Sequence, residues 1–164
     1  MTFEQRMAVS EAHERAIIDR LIAKGWRAHL FGQSQLPNAM RDLLRTYHDD
    51  GLNPTLLRWL PDILAGYVTH RTYACLIDGK VCSSAHANYA VETSALDAVR
   101  LLSDAVGLPC FFVFDDFGVL TPRDVTLRGL PGRNSSHGSG TPYLLVERRF
   151  ARPFDCVFPG IEPP

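Results

Sequence analysis

Apolar positions recur at threes and fours through residues 3–24, where Phe3, Met7, Ile18, Leu21 and Ile22 form a stripe and Gly25 stands just past the last turn. That spacing predicts a first helix. The pattern then changes. Residues 26–31 (WRAHLF) alternate in character and predict a short strand. Residues 37–50 return to helical spacing, with Asn38 as cap, Met40, Leu43 and Leu44 facing inward, and Gly51 as the stop. Two further apolar runs, 56–64 and 71–78, predict strands joined by a turn around 66–70. Val91, Ala95, Ala98, Leu102 and Val106 predict a second long helix over 91–106, with Gly107 after it. The run CFFVF after Pro109 is continuous, as in a strand covered on both faces. Beyond it the pattern weakens. Val119 and Leu120 extend a sheet, 129–141 (GLPGRNSSHGSGT) is a flexible loop by composition, 143–146 is a last strand, and the end from Pro153 wraps or frays.

The order helix, strand, inserted helix, strand, strand, helix, strand predicts an α/β fold with a central mixed sheet flanked by helices. A length of 164 residues is one domain's worth, with its own core. Composition adds little: 46% hydrophobic, 21% charged and a net charge of -1 describe an ordinary globular chain. No apolar run approaches membrane-spanning length and the first residues are too charged for a signal peptide, so a soluble, cytoplasmic protein is expected. Cys75, Cys82, Cys110 and Cys156 form no C-x-x-C pair, which points to reduced thiols rather than a zinc site. Positive charge is nearly all arginine, whose fork matches phosphate oxygens; the two lysines are Lys24 and Lys80.

Charge matters most where it interrupts the apolar pattern. Glu11 and Glu14 lie on the stripe of the first helix, whereas His13 falls off it and is expected to face solvent. Asp62 closes the run WLPD, and CLIDGK places Asp78 and Lys80 at the tip of the next strand. Alternation sends Asp78 and Lys80 to the same face of that strand. Pairing of the two strands would bring Asp62 to them, with Glu14 in reach. Carboxylates pooled in this way stay ionised cheaply only around a cation. Hard oxygen donors suit Mg2+ or Mn2+, and a lysine beside such an ion can stabilise a phosphoryl transition state. That chemistry cleaves phosphodiesters.

The order helix-Glu14, Pro61-Asp62, Asp78-Gly79-Lys80, then helix and apolar strand resembles the PD-(D/E)XK nuclease superfamily. HERAIIDRLIAKGW, with its glutamate eleven residues before the glycine, is similar to the first helix of small Holliday junction resolvase-like members. NYAVETSAL (88–96) resembles a stretch in phage and actinobacterial members. The resemblance covers about residues 8–115 and implies a restriction-endonuclease-like αβββαβ core over about 3–115, a helical insertion after the first strand, and a C-terminal extension over 116–164. It implies that Asp62, Asp78 and the Gly79 carbonyl ligate Mg2+ or Mn2+, that Lys80 is the catalytic lysine, and that Glu14 completes the metal shell, with Glu11 as its substitute. Glu92 either touches the site or complements the dipole of the second helix. DNA is the implied partner, and a homodimer the implied assembly for cutting two strands. Candidate contacts are Arg41, Arg45 and Arg58 near the insertion, Ser83 and His86 past Lys80, and Arg123, Arg128 and Arg133 near Ser135, Ser136 and His137 in the late loop. The expected function is a metal-dependent DNA nuclease, with junction resolution or DNA processing as the narrower expectation. The alternatives are a catalytically silent binding module on the same fold and a thiol enzyme using Cys75 or Cys82.

Overall fold

The computed structural model describes residues 3–32, 35–37, 59–82, 86–132 and 142–161. The first helix, α1 (Phe3–Ala23), forms as the spacing predicts, and Gly25 follows it in the left-handed conformation at φ 86°. Its inward stripe differs from the predicted one. His13, Glu14, Ile17 and Leu21 are buried, while Glu11 and Ile22 face water. Positions 13, 17 and 21 share one face at intervals of four, and that face, with Glu14 on its flank, is the one laid on the sheet. His13 is therefore a buried residue and not the solvent-facing one expected.

β1 (Arg27–Leu30) pairs antiparallel with β2 (Ile63–Val68), which pairs antiparallel with β3 (Thr72–Lys80). The strand predicted over 56–64 thus begins where it was expected to end. Trp59 to Asp62 precede the strand as turn and coil, since Pro61 has no N–H to give a ladder. The tight turn sits at Thr69–Arg71, where the Thr69 amide donates to the Arg71 carbonyl at 3.0 Å. The predicted inserted helix beyond Pro37, with Arg41, Arg45 and Arg58, lies outside the described residues.

β4 (Asn88–Glu92) leads into α2 (Thr93–Val106). The helix therefore starts later than predicted, because Tyr89 and Val91 are buried in strand alternation and Asn88–Glu92 pairs with β8 (Tyr143–Glu147). Gly107, at φ 68°, ends α2 as expected. β5 (Cys110–Phe114), buried at every residue, pairs parallel with β3 and antiparallel with β6 (Gly118–Leu120). A short helix, α3 (Pro122–Arg128), is absent from the predicted pattern. The stretch Thr121-Pro122-Arg123-Asp124 carries its signal, a capping box: the Asp124 amide donates to Thr121 Oγ1 at 3.1 Å, and the Thr121 amide to Asp124 Oδ2 at 3.0 Å. β7 (Leu130–Pro131) adds to β8, and the chain ends with β9 (Arg152–Pro153) on β6 and the single turn α4 (Phe154–Val157).

The main sheet has the order β1-β2-β3-β5-β6-β9, with β4-β8-β7 as a second, antiparallel sheet. Two apolar cores lie on opposite faces of the main sheet. Ile17, Leu21, Ile63, Ile77, Phe111 and Val113 build the α1 side, and Leu76, Phe112, Phe114, Val91, Val99 and Val146 build the α2 side.

The C-terminal segment wraps onto the α1 side. Phe154 and Phe158 join that core, the Trp26 indole donates to the Pro159 carbonyl at 2.9 Å, and the Ile161 amide to the Lys24 carbonyl at 2.7 Å. Phe158 is fully buried against Trp26 and Phe111. Phe158→Ala should therefore destabilise the fold by about 3 kcal/mol in a denaturant titration. A loss below about 1 kcal/mol would mean that the segment merely lies on the surface.

Candidate active site

The hairpin register brings the charged residues together. Ile63 pairs with Ile77, so Asp62, one residue before β2, arrives opposite Asp78, one residue further along β3. Had Asp62 ended its strand it would have stood near the hairpin turn, a strand's length from Asp78. β1 fixes the approach: the Phe31 and Gly32 amides donate to the Asp62 carbonyl at 2.6 and 3.2 Å. Gly32 is required by closeness, since a Cβ there would fall 2.9 Å from the Pro61 carbonyl oxygen and 3.2 Å from Asp62 Oδ1.

Around this point the side chains are tied to one another. Asp62 Oδ2 accepts the Gly79 amide at 2.8 Å, and Asp78 Oδ2 receives the Lys80 ammonium at 2.9 Å. The Lys80 side chain is 19% exposed and Asp78's 9%, and the ammonium also lies 5.6 Å from the centre of the Trp59 ring. The Asp78 carboxylate is a near electrostatic neighbour of Asp62 and makes a second negative charge there costlier. Burial above all, then the charges of Asp78 and Glu14, push the Asp62 carboxyl well above the usual carboxylate range, with Lys80 only partly opposing them. Burial alone would lower the Lys80 ammonium. The charges of Asp78 and Asp62, and beyond them Glu92, more than offset it and raise it. Two carboxyl groups and a firmly charged lysine thus share one partly dry place.

Glu14 reaches the cluster from the other side of the sheet. Asp78 and Lys80 share the face of Leu76 and Phe112, whereas Gly79 shares that of Ile77 and Val113. Under Gly79 lies α1: a Cβ there would stand 3.5 Å from His13 Cδ2 and Ile17 Cδ1 and 3.6 Å from Glu14 Cγ. Glu14 is 4% exposed and receives the Ser10 hydroxyl at 3.4 Å. It is felt by Asp62 but approaches from the opposite face. Accordingly, among the described residues, no three His, Cys, Asp or Glu side chains gather into a group that could hold a metal ion. The adjoining pair Asp62 and Asp78 does fit Mg2+, which takes one or two carboxylates and fills its other positions with water and substrate oxygens.

The other candidates divide. Glu92 closes β4 just before α2, makes no side-chain capping bond, and adds its charge to the surroundings of Lys80. Glu11 stays on the exposed face of α1. His86 is exposed, and its carbonyl accepts Arg148 Nε at 3.0 Å. Arg128 lies on α3 with its guanidinium 4.4 Å from the centre of the Phe150 ring. Ser83, Arg133, Ser135, Ser136 and His137 lie outside the described residues. A cleft of about 420 Å³ opens directly past Lys80, lined by Val81, Cys82, His86, Asn88 and Tyr143.

Three features were not read from the sequence. Trp59 borders Lys80, and its nearness to Pro61-Asp62 along the chain was the available signal. His13 is buried beside Glu14, as the 13-17-21 spacing allowed. Tyr89, Asp116 and Arg148 join the second sheet to the turn after β5: the Tyr89 hydroxyl donates to Asp116 at 2.8 Å and Arg148 pairs with the same carboxylate. Burial works against this carboxylate, yet Tyr89, the Gly118 amide and Arg148 together hold it below its ordinary range. Nothing in the sequence pattern links these three.

No protein-family profile matches the chain, and no curated protein sequence matches it. Solved structures do. Hjc of Archaeoglobus fulgidus, a Holliday junction resolvase, superposes with a TM-score of 0.54 at 9% sequence identity, over 94% of this chain and 98% of that one. D212, a nuclease from a fusselovirus, gives a TM-score of 0.49 at 10% identity, over 96% and 90% of the two chains. With its central mixed sheet flanked by helices, the chain has a fold similar to that of Hjc, of the restriction-endonuclease-like type.

Proposed function

We propose that the chain is a single-domain, metal-dependent nuclease of the PD-(D/E)XK kind that hydrolyses phosphodiester bonds in DNA. One observation carries this: the Asp62–Asp78 pair, with Lys80 held 2.9 Å from Asp78, at the mouth of the β2–β3 hairpin. Asp62 and Asp78 would hold Mg2+ or Mn2+, with the Gly79 carbonyl beside them and Glu14 adding its negative charge from the other face of the sheet. When bound, the ion supplies Lewis acidity to the phosphate and acidifies a water. The protein's own groups do the rest. Asp78 fixes the Lys80 ammonium, which is aimed to take up charge developing on the phosphoryl oxygens. A cation bound there would favour the ionised form of Asp62, whose carboxyl is otherwise raised by burial and by the charge of Asp78. Trp59 covers one side of Lys80 and limits its access to water.

The alternative chemistry has no support from the thiols. Burial, above all, pushes Cys75 and Cys110 up to about 12 and raises Cys82, so each is a protonated and sluggish nucleophile at neutral pH.

The fold shared with a Holliday junction resolvase makes a branched DNA the first substrate to try, and a homodimer cutting two strands the assembly to look for. The test is a panel of labelled four-way junction, flayed duplex and supercoiled plasmid with Mg2+ or Mn2+. The proposal expects cleavage of at least one, the junction foremost. Failure to cut any of them, together with no gain in thermal stability from Mn2+, would favour a silent binding module.

A further inference from the structure

We infer that His13 is a positioning residue of this site: it clamps α1 to the Gly79 rung of the sheet and so sets where Glu14 stands. The inference rests on the metal-dependent nuclease reading. His13 is 8% exposed. Its Nε2 lies 3.0 Å from the Val113 carbonyl oxygen, and a carbonyl only accepts, so Nε2 carries the proton and donates. Val113 is the register partner of Gly79, the residue between Asp78 and Lys80. The same imidazole puts Cδ2 3.5 Å from the place a Gly79 Cβ would take. Its far edge meets the Phe117 ring at 6.0 Å between centroids, in the turn after β5.

An imidazole is a poor choice for a buried helix face unless its hydrogen bond is wanted. An aliphatic side chain such as the neighbouring Ile17 would fill the space without a polar group. This bond ties the helix to β5 at the rung where the site's residues leave the sheet. Glu14 follows His13 in the chain and lies against the same Gly79 backbone. A slip of α1 would move Glu14 relative to Asp62 while leaving Asp62, Asp78 and Lys80, which sit on the hairpin, in place. His13 touches neither metal nor substrate; it acts through Glu14.

His13→Phe keeps the ring and removes the bond, and His13→Gln offers an amide N–H of similar reach. Both are compared with wild type by calorimetric titration with Mn2+ in the absence of DNA, and by the Mg2+ dependence of cleavage. The expected result for His13→Phe is Mn2+ binding weaker by about tenfold or more, the scale on which a metal's outer partners matter. Half-activation by Mg2+ should shift by the same factor, with kcat at saturating metal within about threefold of wild type, and His13→Gln should recover most of the loss. A folded His13→Phe with wild-type Mn2+ affinity overturns the inference, as does an equal loss in the Phe and Gln variants. If His13→Phe does not fold, His13→Asn, too short to reach Val113, is held to the same outcomes. A wild type that binds no Mn2+ overturns the metal reading itself and this inference with it, so the two failures are told apart by the wild-type titration.

Discussion

Asp62→Asn will abolish cleavage and make the metal-free protein more stable. The two effects have one cause. Asp62 is partly buried against Asp78 and within the field of Glu14, and its carboxyl is raised well above the usual 3.8 by burial first and those charges next. A group whose folded value is raised contributes stability that is fully present below its unfolded value and lost as pH rises through the folded one. Metal-free wild type should therefore lose thermal stability as pH climbs from the ordinary carboxylate range through the raised value of Asp62. The asparagine carries no charge to repel, so the variant's Tm should be flatter over that window and higher than wild type at its alkaline end. Its carbonyl oxygen can still accept the Gly79 amide that Asp62 accepts at 2.8 Å. Activity should fall by roughly a thousandfold or more, the scale of losing a charged partner of the transition state. Such a trade of stability for charge is expected of a working site. A variant less stable than wild type at every pH would mean that the Asp62 carboxylate is there to hold the fold.

Lys80→Ala should separate metal binding from catalysis. Its ammonium offsets the carboxylates in the resting protein, so its removal leaves Asp78 buried without its partner. The metal-free variant should lose on the order of 3 kcal/mol of stability, as when one member of a buried ion pair is deleted. Mn2+ should then bind at least as tightly as to wild type, because the cation no longer competes with a fixed positive charge, and should restore the lost Tm. Cleavage should stay at least about a hundredfold down even at saturating metal, since nothing replaces the charge that Lys80 presents to the phosphate. Calorimetry and single-turnover cleavage on the same preparation check both halves. Weakened Mn2+ binding in this variant would contradict the role given to Lys80.

How far the sequence leads depends on which physical rule governs each element. Periodicity found α1, α2 and β5 because each buries a full face, and the glycines after both long helices mark their ends. Alternation put Asp78 and Lys80 on one face, as the register has them. It could not place the start of β2. The apolar run 56–64 reads as strand, but Pro61 breaks it, and the strand consists of what comes after. That difference decides whether Asp62 meets Asp78 or faces the hairpin turn. On α1, two overlapping stripes were available, and only the docking on the sheet selects His13, Ile17 and Leu21 over Glu11, Ile18 and Ile22. β4 was hidden in the approach to α2, since Tyr89 and Val91 fit a strand and a helix start equally well. The Tyr89–Asp116–Arg148 connection spans three distant segments and has no local signature.

The central claim is that Asp62, Asp78 and Lys80 form a metal-dependent site for cutting DNA. Its most direct test is the Mg2+-dependent cleavage of a labelled four-way junction by wild type and by Asp78→Ala, each with and without chelator. Wild type should cut, chelator should abolish the cutting and added Mg2+ restore it, and the variant should cut under none of these conditions. Cleavage that survives in Asp78→Ala, or that is indifferent to chelator, would contradict it.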